Sequence, residues 1–207
     1  MLVTKIEKQK KNRKRWNIYV NDEFFCGLFE DTILKYGLRK DDDVPEGKLN
    51  EIKDFDEYIY AKKISYDFLS YRIRTVSEIK KKLKSKKISG NTIDKVLAHL
   101  NELRLTNDEE FAKQLIREKI SRKPVGRKLL KQKLFEKGVP KSVSEDVIEK
   151  VFNEIDEKSL EMENFKKYFV KIKAFDKKEQ KKKTFDYLVR KGFDYDVINE
   201  IIYKNIK

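Results

Sequence analysis

The residues of this chain best suited to chemistry are basic side chains at a recurring position, and the chemistry is neutralisation of an anionic partner. Leu83 is followed by Lys86 and then Ile88, Leu134 by Lys137 and Val139, and Leu188 by Lys191 and Phe193. Further cations crowd the same stretches. Arg72, Arg74, Lys80, Lys82, Arg117, Arg122, Arg127, Lys128 and Lys131, together with Lys137 and Lys191, are the candidate contacts. Lys and Arg set against phosphates release counterions, so such contacts weaken steeply with salt and ignore base sequence. A single Lys-rich helix is usually a solvated face. Recurrence at equivalent positions favours one continuous basic face over three accidents.

Other chemistries lack their parts. No Gly-rich phosphate loop of Walker or dinucleotide type occurs. His99, the only histidine, lies in an amphipathic run with no Cys or His partner and reads as structural. Cys26 closes an apolar strand, so a buried, inert thiol is expected rather than a nucleophile. Asp41-Asp42-Asp43 lacks the Gly and closing Glu of a calcium loop and reads as a solvated turn. Glu109 and Glu110 are neighbours in sequence and do not face each other, which makes them poor acid/base partners. The expectation is a protein that is not an enzyme and carries no metal or cofactor.

The elements that must position the basic residues follow from composition and period. The 207 residues include 50 Lys+Arg against 36 Asp+Glu, a formal charge of +14. With 39% hydrophobic residues, 13 Phe and 10 Tyr, the chain can bury a core, and 7 Gly and 3 Pro suit a mainly helical one. One cysteine excludes an intramolecular disulfide and points to a reducing compartment. The start lacks the apolar core of a signal peptide, and no run approaches 18 apolar residues. A soluble, cytoplasmic, monomeric protein without membrane contact is the expectation.

Val3–Lys8 and Trp16–Val20 alternate like half-buried strands. Asn21-Asp22 before Glu23–Gly27 signals a two-residue hairpin, since both residues tolerate positive φ. About three strands are expected, then a short helix from Glu30 to Tyr36 capped by Gly37 in the left-handed conformation. Three strands alone are marginal, so Trp16, Ile18, Phe24 or Phe25 should pack on a helix within Leu49 to Tyr71. That helix admits a break near Phe55. The basic stretch Lys10-Lys11-Asn12-Arg13-Lys14-Arg15 falls between the first two strands and is a second candidate contact.

Three similar stretches about fifty residues apart signal a tandem helical repeat array, elongated and curved, which offers a surface rather than a pocket. Thr75 to Glu78 and Thr106 to Glu109 read as capping boxes, and Asp176 as a helix cap. Amphipathic runs follow each motif helix: Ile93, Val96, Leu97, Leu100 and Leu103, then Val143 to Ile155, then Val197 to Ile202. Lys123-Pro124-Val125-Gly126 is a turn in which Gly126 relaxes the backbone. The expected division is a β module with a short helix at 1–45, then three three-helix repeats at 46–105, 106–158 and 159–207. Leu83, Leu134 and Leu188 occupy one equivalent core position.

Four segments, in order, resemble the RecX family of regulatory proteins. They are Tyr71–Glu78 with Lys82-Leu83 and Ile88; Leu103–Ala112; Gly126–Leu130 with Leu134 and Lys137-Gly138-Val139; and Arg190–Ile198. The resemblance covers about residues 58–207, and the N-terminal β segment is similar to that of the longer members from Gram-positive bacteria. One departure is Lys87, which stands where the later motifs have Gly138 and Gly192. The resemblance implies a protein of DNA repair, recombination and the SOS response. Such a protein binds the RecA–single-stranded DNA filament, lowers its ATPase, strand-exchange and coprotease activities, and limits its growth.

Two other readings stay open on the residues alone. Three-helix units resemble helix-turn-helix modules that read duplex DNA, although the motif helices are poor in the Asn, Gln and bidentate Arg used for base readout. The remaining alternative is a scaffold for acidic proteins with no nucleic acid contact.

Overall fold

Alternation and turn chemistry build the N-terminal sheet. The computed structural model of the protein describes residues 1–10 and 14–206. Strands β1 (Val3–Lys8), β2 (Arg15–Val20) and β3 (Glu23–Phe29) pair antiparallel in the order β1-β2-β3. Asn21 and Asp22 take φ of 48° and 67°, the left-handed pair that a type I′ hairpin needs. Ile18 faces Cys26 while Tyr19 faces Phe24, so Phe25 is an extra residue on β3. That irregularity decides which phenylalanine goes inside. Phe25 packs with Ile18, Leu28, Leu49 and Ile52. Phe24 is instead 60% exposed, edge-on to Tyr19, and of the four residues offered for the helix contact Ile18 and Phe25 are the ones that share a core with α2. Of the basic stretch between β1 and β2, Lys11, Asn12 and Arg13 lie outside the described residues.

Helix α1 (Glu30–Tyr36) ends on Gly37, left-handed at φ 62°. Helix α2 (Glu46–Leu69) runs without the break that the sequence admits near Phe55. The reason lies at Asp56. Its carboxylate accepts from Phe29 N at 2.6 Å and Thr32 Oγ1 at 2.7 Å, and Arg15 lies 3.2 Å away. Turned inward, it does not compete for the helix backbone. Burial pushes the Asp56 carboxyl up, while these hydrogen bonds and Arg15 oppose the push.

The remaining helices among the described residues are α3 (Val76–Ser85), α4 (Gly90–Glu102), α5 (Asp108–Arg122), α6 (Arg127–Glu136), α7 (Lys141–Asn153), α8 (Glu157–Ile172), α9 (Lys177–Arg190) and α10 (Tyr195–Asn205). Thr75 caps α3 through Glu78 N, and Asp176 caps α9 through Glu179 N. On α5 the cap is Asn107, which accepts from Glu110 N, and not Thr106, which is buried. Helix α4 begins at Gly90 with Ser89 as its cap, and Leu103 follows it half-exposed rather than in the apolar stripe.

The chain divides into two compact units. One comprises Met1–Arg72 and Lys80–Leu103, and the other Ile73–Ile79 and Arg104–Lys207. In the first, the sheet and α2 share a core of Val3, Ile18, Leu28, Leu49 and Ile52. In the second, Phe111, Ile116, Leu130, Leu134, Val147, Ile148 and Phe152 bring α5, α6 and α7 together. Leu188, Phe193 and Ile198 join α9 to α10. Leu83, Leu134 and Leu188 are all fully buried, as the repeat register requires.

Candidate nucleic-acid interface

The recurring pattern is a helix-ending turn. The amide of Ile88 donates to Leu83 O at 3.3 Å, Val139 to Leu134 O at 3.1 Å and Phe193 to Leu188 O at 3.3 Å. Between them Lys87, Gly138 and Gly192 take φ of 60°, 74° and 83°. This is the Schellman closure, in which the residue after the cap turns left-handed and an apolar residue packs back on the last turn. The shared basic residue is thus the helix cap, where a cation meets the helix's last carbonyls. Its recurrence has a structural cause in addition to any partner it binds.

The turns also join one motif helix to another within the second unit. Thr75 Oγ1 donates to Lys137 O at 2.8 Å, and Lys137 lies 3.5 Å from Glu78. At the next joint, Gly126 N donates to Lys191 O at 2.8 Å and Lys128 N to Gly192 O at 3.1 Å. So the closing turn of α6 sits on the start of α3, and that of α9 on the start of α6. Gly126 is needed for this approach and not for backbone freedom: its φ is −83°, but a Cβ there would stand 2.2 Å from Gly192 O.

Many of the candidate cations already hold charge within the chain. Lys80 is 3.6 Å from Asp94, Arg117 is 3.9 Å from Glu154, Arg122 is 3.1 Å from Glu118, and Lys131 is 3.4 Å from Glu145. Arg127 pairs with Glu157 at 2.8 Å and lies over the Phe152 ring, half-buried. Lys128 pairs with Asp194 at 3.0 Å, which holds its ammonium above the usual range, and sits over Tyr195. Exposed pairs of this kind are weak, about 0–1 kcal/mol, and exchange readily for a phosphate. Lys82 lies over Phe68 and Lys191 over Tyr187, neither with an ion pair among the described residues. Arg72 and Arg74 fall between α2 and α3.

The structure brings two of the candidates to one cleft. Arg122 and Lys191 line a cavity of about 390 Å³ floored by Val125, Leu129 and Leu130. Lys119, Lys123 and Lys133 complete its basic rim. Burial, with the Lys123 charge added, pulls the Lys191 ammonium below its usual value. Lys123 and Lys191 make no ion pair among the described residues, which favours an incoming anion, while Arg122 and Lys133 on the rim already pair with Glu118 and Glu136. Lys119, Lys123 and Lys133 are missing from the candidates read in the sequence; Lys123 caps α5 in an extended conformation, so helical spacing does not place it beside Lys119.

The other potential centres are structural. His99 is half-buried, 2.9 Å from Tyr66 Oη and edge-on to Tyr58. Cys26 is buried, and that burial pushes its thiol up to about 11. Asp42 accepts from Arg39 N within a loop that pairs with β1. No described helix is long and apolar enough to cross a membrane.

Comparison with known proteins agrees with this architecture. Residues 1–45 match the family model described as Regulatory protein RecX N-terminal domain. Residues 61–100, 107–149 and 165–202 match the first, second and third three-helix domains of RecX. The chain is 34% identical to Regulatory protein RecX of Clostridioides difficile over 98% of its own length and 95% of that protein's. It is 33% identical to Regulatory protein RecX of Staphylococcus saprophyticus, covering 97% and 73%. A crystal structure of regulatory protein RecX superposes with a TM-score of 0.72 at 26% identity, covering 99% of each chain. A crystal structure of RecX from Lactobacillus salivarius gives 0.66 at 26% identity over 72% and 96%.

Proposed function

The chain belongs to the RecX family of regulatory proteins, and on that premise we propose that it binds the RecA–single-stranded DNA filament and restrains it. In this reading it acts without catalysis of its own, as a cytoplasmic monomer. It lowers ATP hydrolysis, strand exchange and coprotease activity and limits filament growth. One observation carries the proposal: the family match runs through all four segments in order along nearly the whole chain. The formal charge of +14 suits a partner that carries nucleic acid.

Contacts to filament or DNA are assigned to the exposed Arg72, the half-buried Arg74 and Lys82, and the Lys191 cleft foremost. Arg127 and Lys128 serve first to hold α6 on the turn after α9, and only then a partner. The deciding measurement is DNA-dependent ATP hydrolysis by the cognate RecA, with filament length followed by microscopy. Hydrolysis and filament length should both fall at substoichiometric protein. Both unchanged at a molar excess over RecA would remove the proposal. Marked preference for one duplex sequence would instead favour helix-turn-helix readout.

A further inference from the structure

One face of α2 carries aromatic rings at helical spacing, and they do not enter a core. Tyr60, Ile64 and Phe68 fall at i, i+4 and i+8, one stripe along the end of α2, and Tyr71 follows two residues past the helix's last residue. With Phe29 from β3 they line a cavity of about 380 Å³ within the first unit. Tyr71 is 84% exposed, while Phe29, Tyr60 and Phe68 are half-buried with ring surface left over. Around these rings stand Lys14, Lys63, Lys82 and Lys86 against one carboxylate, Asp67. Lys63, Lys82 and Lys86 make no ion pair among the described residues. Cations already lie on the ring faces: Lys82 Nζ is 5.5 Å from the Phe68 centroid, and the Arg15 guanidinium is 4.5 Å from that of Phe29.

We propose that this groove is a stacking site for single-stranded DNA. Its rings take unpaired bases, and its lysines take the phosphates between them. Proteins that hold single strands without sequence preference combine these two parts, a basic groove and aromatic platforms. A purely acidic protein partner would use the lysines but leaves the rings unexplained. A duplex hides its base faces and leaves them unexplained as well. The choice of DNA among anionic chains rests on the filament reading above. The site belongs to the first unit, and of its residues only Lys82 is already among the contacts named in that reading.

The test uses the full-length protein and a fluorescein-labelled oligo-dT of fifteen residues, followed by anisotropy without RecA. Tyr71→Ala should weaken binding by about tenfold, the loss of one stacked base. Tyr203→Ala, equally exposed at 83% but outside the groove, should leave it unchanged. Lys82→Gln with Lys86→Gln should lower the slope of log affinity against log salt by roughly 1.4, two single-strand phosphate contacts. Oligo-dT binding that survives both groove variants would overturn the proposal. So would a Tyr71→Ala protein that binds oligo-dT normally yet loses inhibition of RecA, because the groove would then belong to a protein surface. If the groove variants lose oligo-dT while even the parent leaves RecA hydrolysis untouched, the stacking site stands and the filament reading fails.

Discussion

Lys87 carries a conformation that its side chain disfavours, and replacing it with glycine should stabilise the protein. It takes φ 60°, where the equivalent residues are Gly138 and Gly192. For a residue with a Cβ the left-handed region costs about 1–2 kcal/mol. Glycine removes that cost but gains freedom in the unfolded chain, which returns about 0.4–1 kcal/mol. The Lys87 side chain is exposed and has no ion pair among the described residues, so nothing else is lost. The net expectation for Lys87→Gly is about +1 kcal/mol, or a Tm higher by about 2–4 °C for a chain of this size. Lys87→Asn should fall between glycine and the parent, because asparagine tolerates the left-handed region better than lysine. Gly138→Ala tests the converse. It adds the same strain, and its Cβ would stand 2.4 Å from Ser77 Cβ, so it should cost well over 1 kcal/mol. Urea unfolding followed by circular dichroism at one protein concentration measures all three. A Lys87→Gly midpoint at or below that of the parent would refute the reasoning, because the turn would then carry no left-handed cost.

Three further outcomes are expected. Glu161 on α8 is 1% exposed with neither carboxylate oxygen partnered among the described residues, and burial, reinforced by Glu157, Asp194 and Glu200 and opposed by Lys158, pushes its carboxyl up to about 7. The fold keeps a proton that the unfolded chain releases near pH 4.5, so stability falls as pH rises from there to about 7. Glu161→Gln should recover up to about 3 kcal/mol at pH 8 and nothing at pH 4; equal urea midpoints for variant and parent at pH 8 would sink this account. Asp56→Ala should cost about 3 kcal/mol or more by stranding Arg15, Thr32 and the Phe29 amide, while Asp56→Asn, read by the same unfolding curve, should cost less. Leu134→Ala should cost more than Leu188→Ala within the usual range of about 2–5 kcal/mol, because the core around Leu134 draws on three helices and that around Leu188 on two; calorimetry giving the reverse order would mean that the repeat register is misread.

The helical array was legible because its period is carried by side chains. Leu83, Leu134 and Leu188 mark one buried position, and the apolar stripes of α5, α7 and α10 follow from 3.6-residue spacing. Asn21-Asp22 announced the hairpin for an equally local reason, since few residues accept two positive φ angles in succession. What stayed hidden depends on contacts remote in sequence. Phe24 and Phe25 read alike until a one-residue irregularity sends one outward. Thr106 and Asn107 are both good caps, and burial of the threonine leaves the asparagine to serve. The basic residues were legible as a set, but the ion pairs that engage most of them join different helices. The joints escaped altogether, because their donors and acceptors are mostly backbone and leave no signature beyond Gly126. The aromatic spacing on α2 was present in the sequence. Its meaning needed Phe29 from the sheet and Lys86 from the end of α3.

Those joints also give the three motif helices a polarity. Every α-helix has a partly positive start and a partly negative end, and each joint brings one helix's end to another's start. The start of α6 therefore needs no carboxylate: its first turn has no acidic residue and begins with Arg127-Lys128, two cations that an open helix start would disfavour. Helix α9 differs. It has 14 residues against 10 in α6, the extra turn lying before Leu188, and among the described residues no later turn hydrogen-bonds to its start. Asp176 supplies the missing negative end, accepting from Glu179 N at 2.9 Å, and Glu179 adds a second acid to the first turn. Acid at a start does not by itself bar a joint: α3 carries Glu78 in its first turn, and Lys137 of the docking turn meets it at 3.5 Å. A turn docked on α9 in the same way would have to bring a cation of its own, as Lys137 does, to meet Asp176 and Glu179.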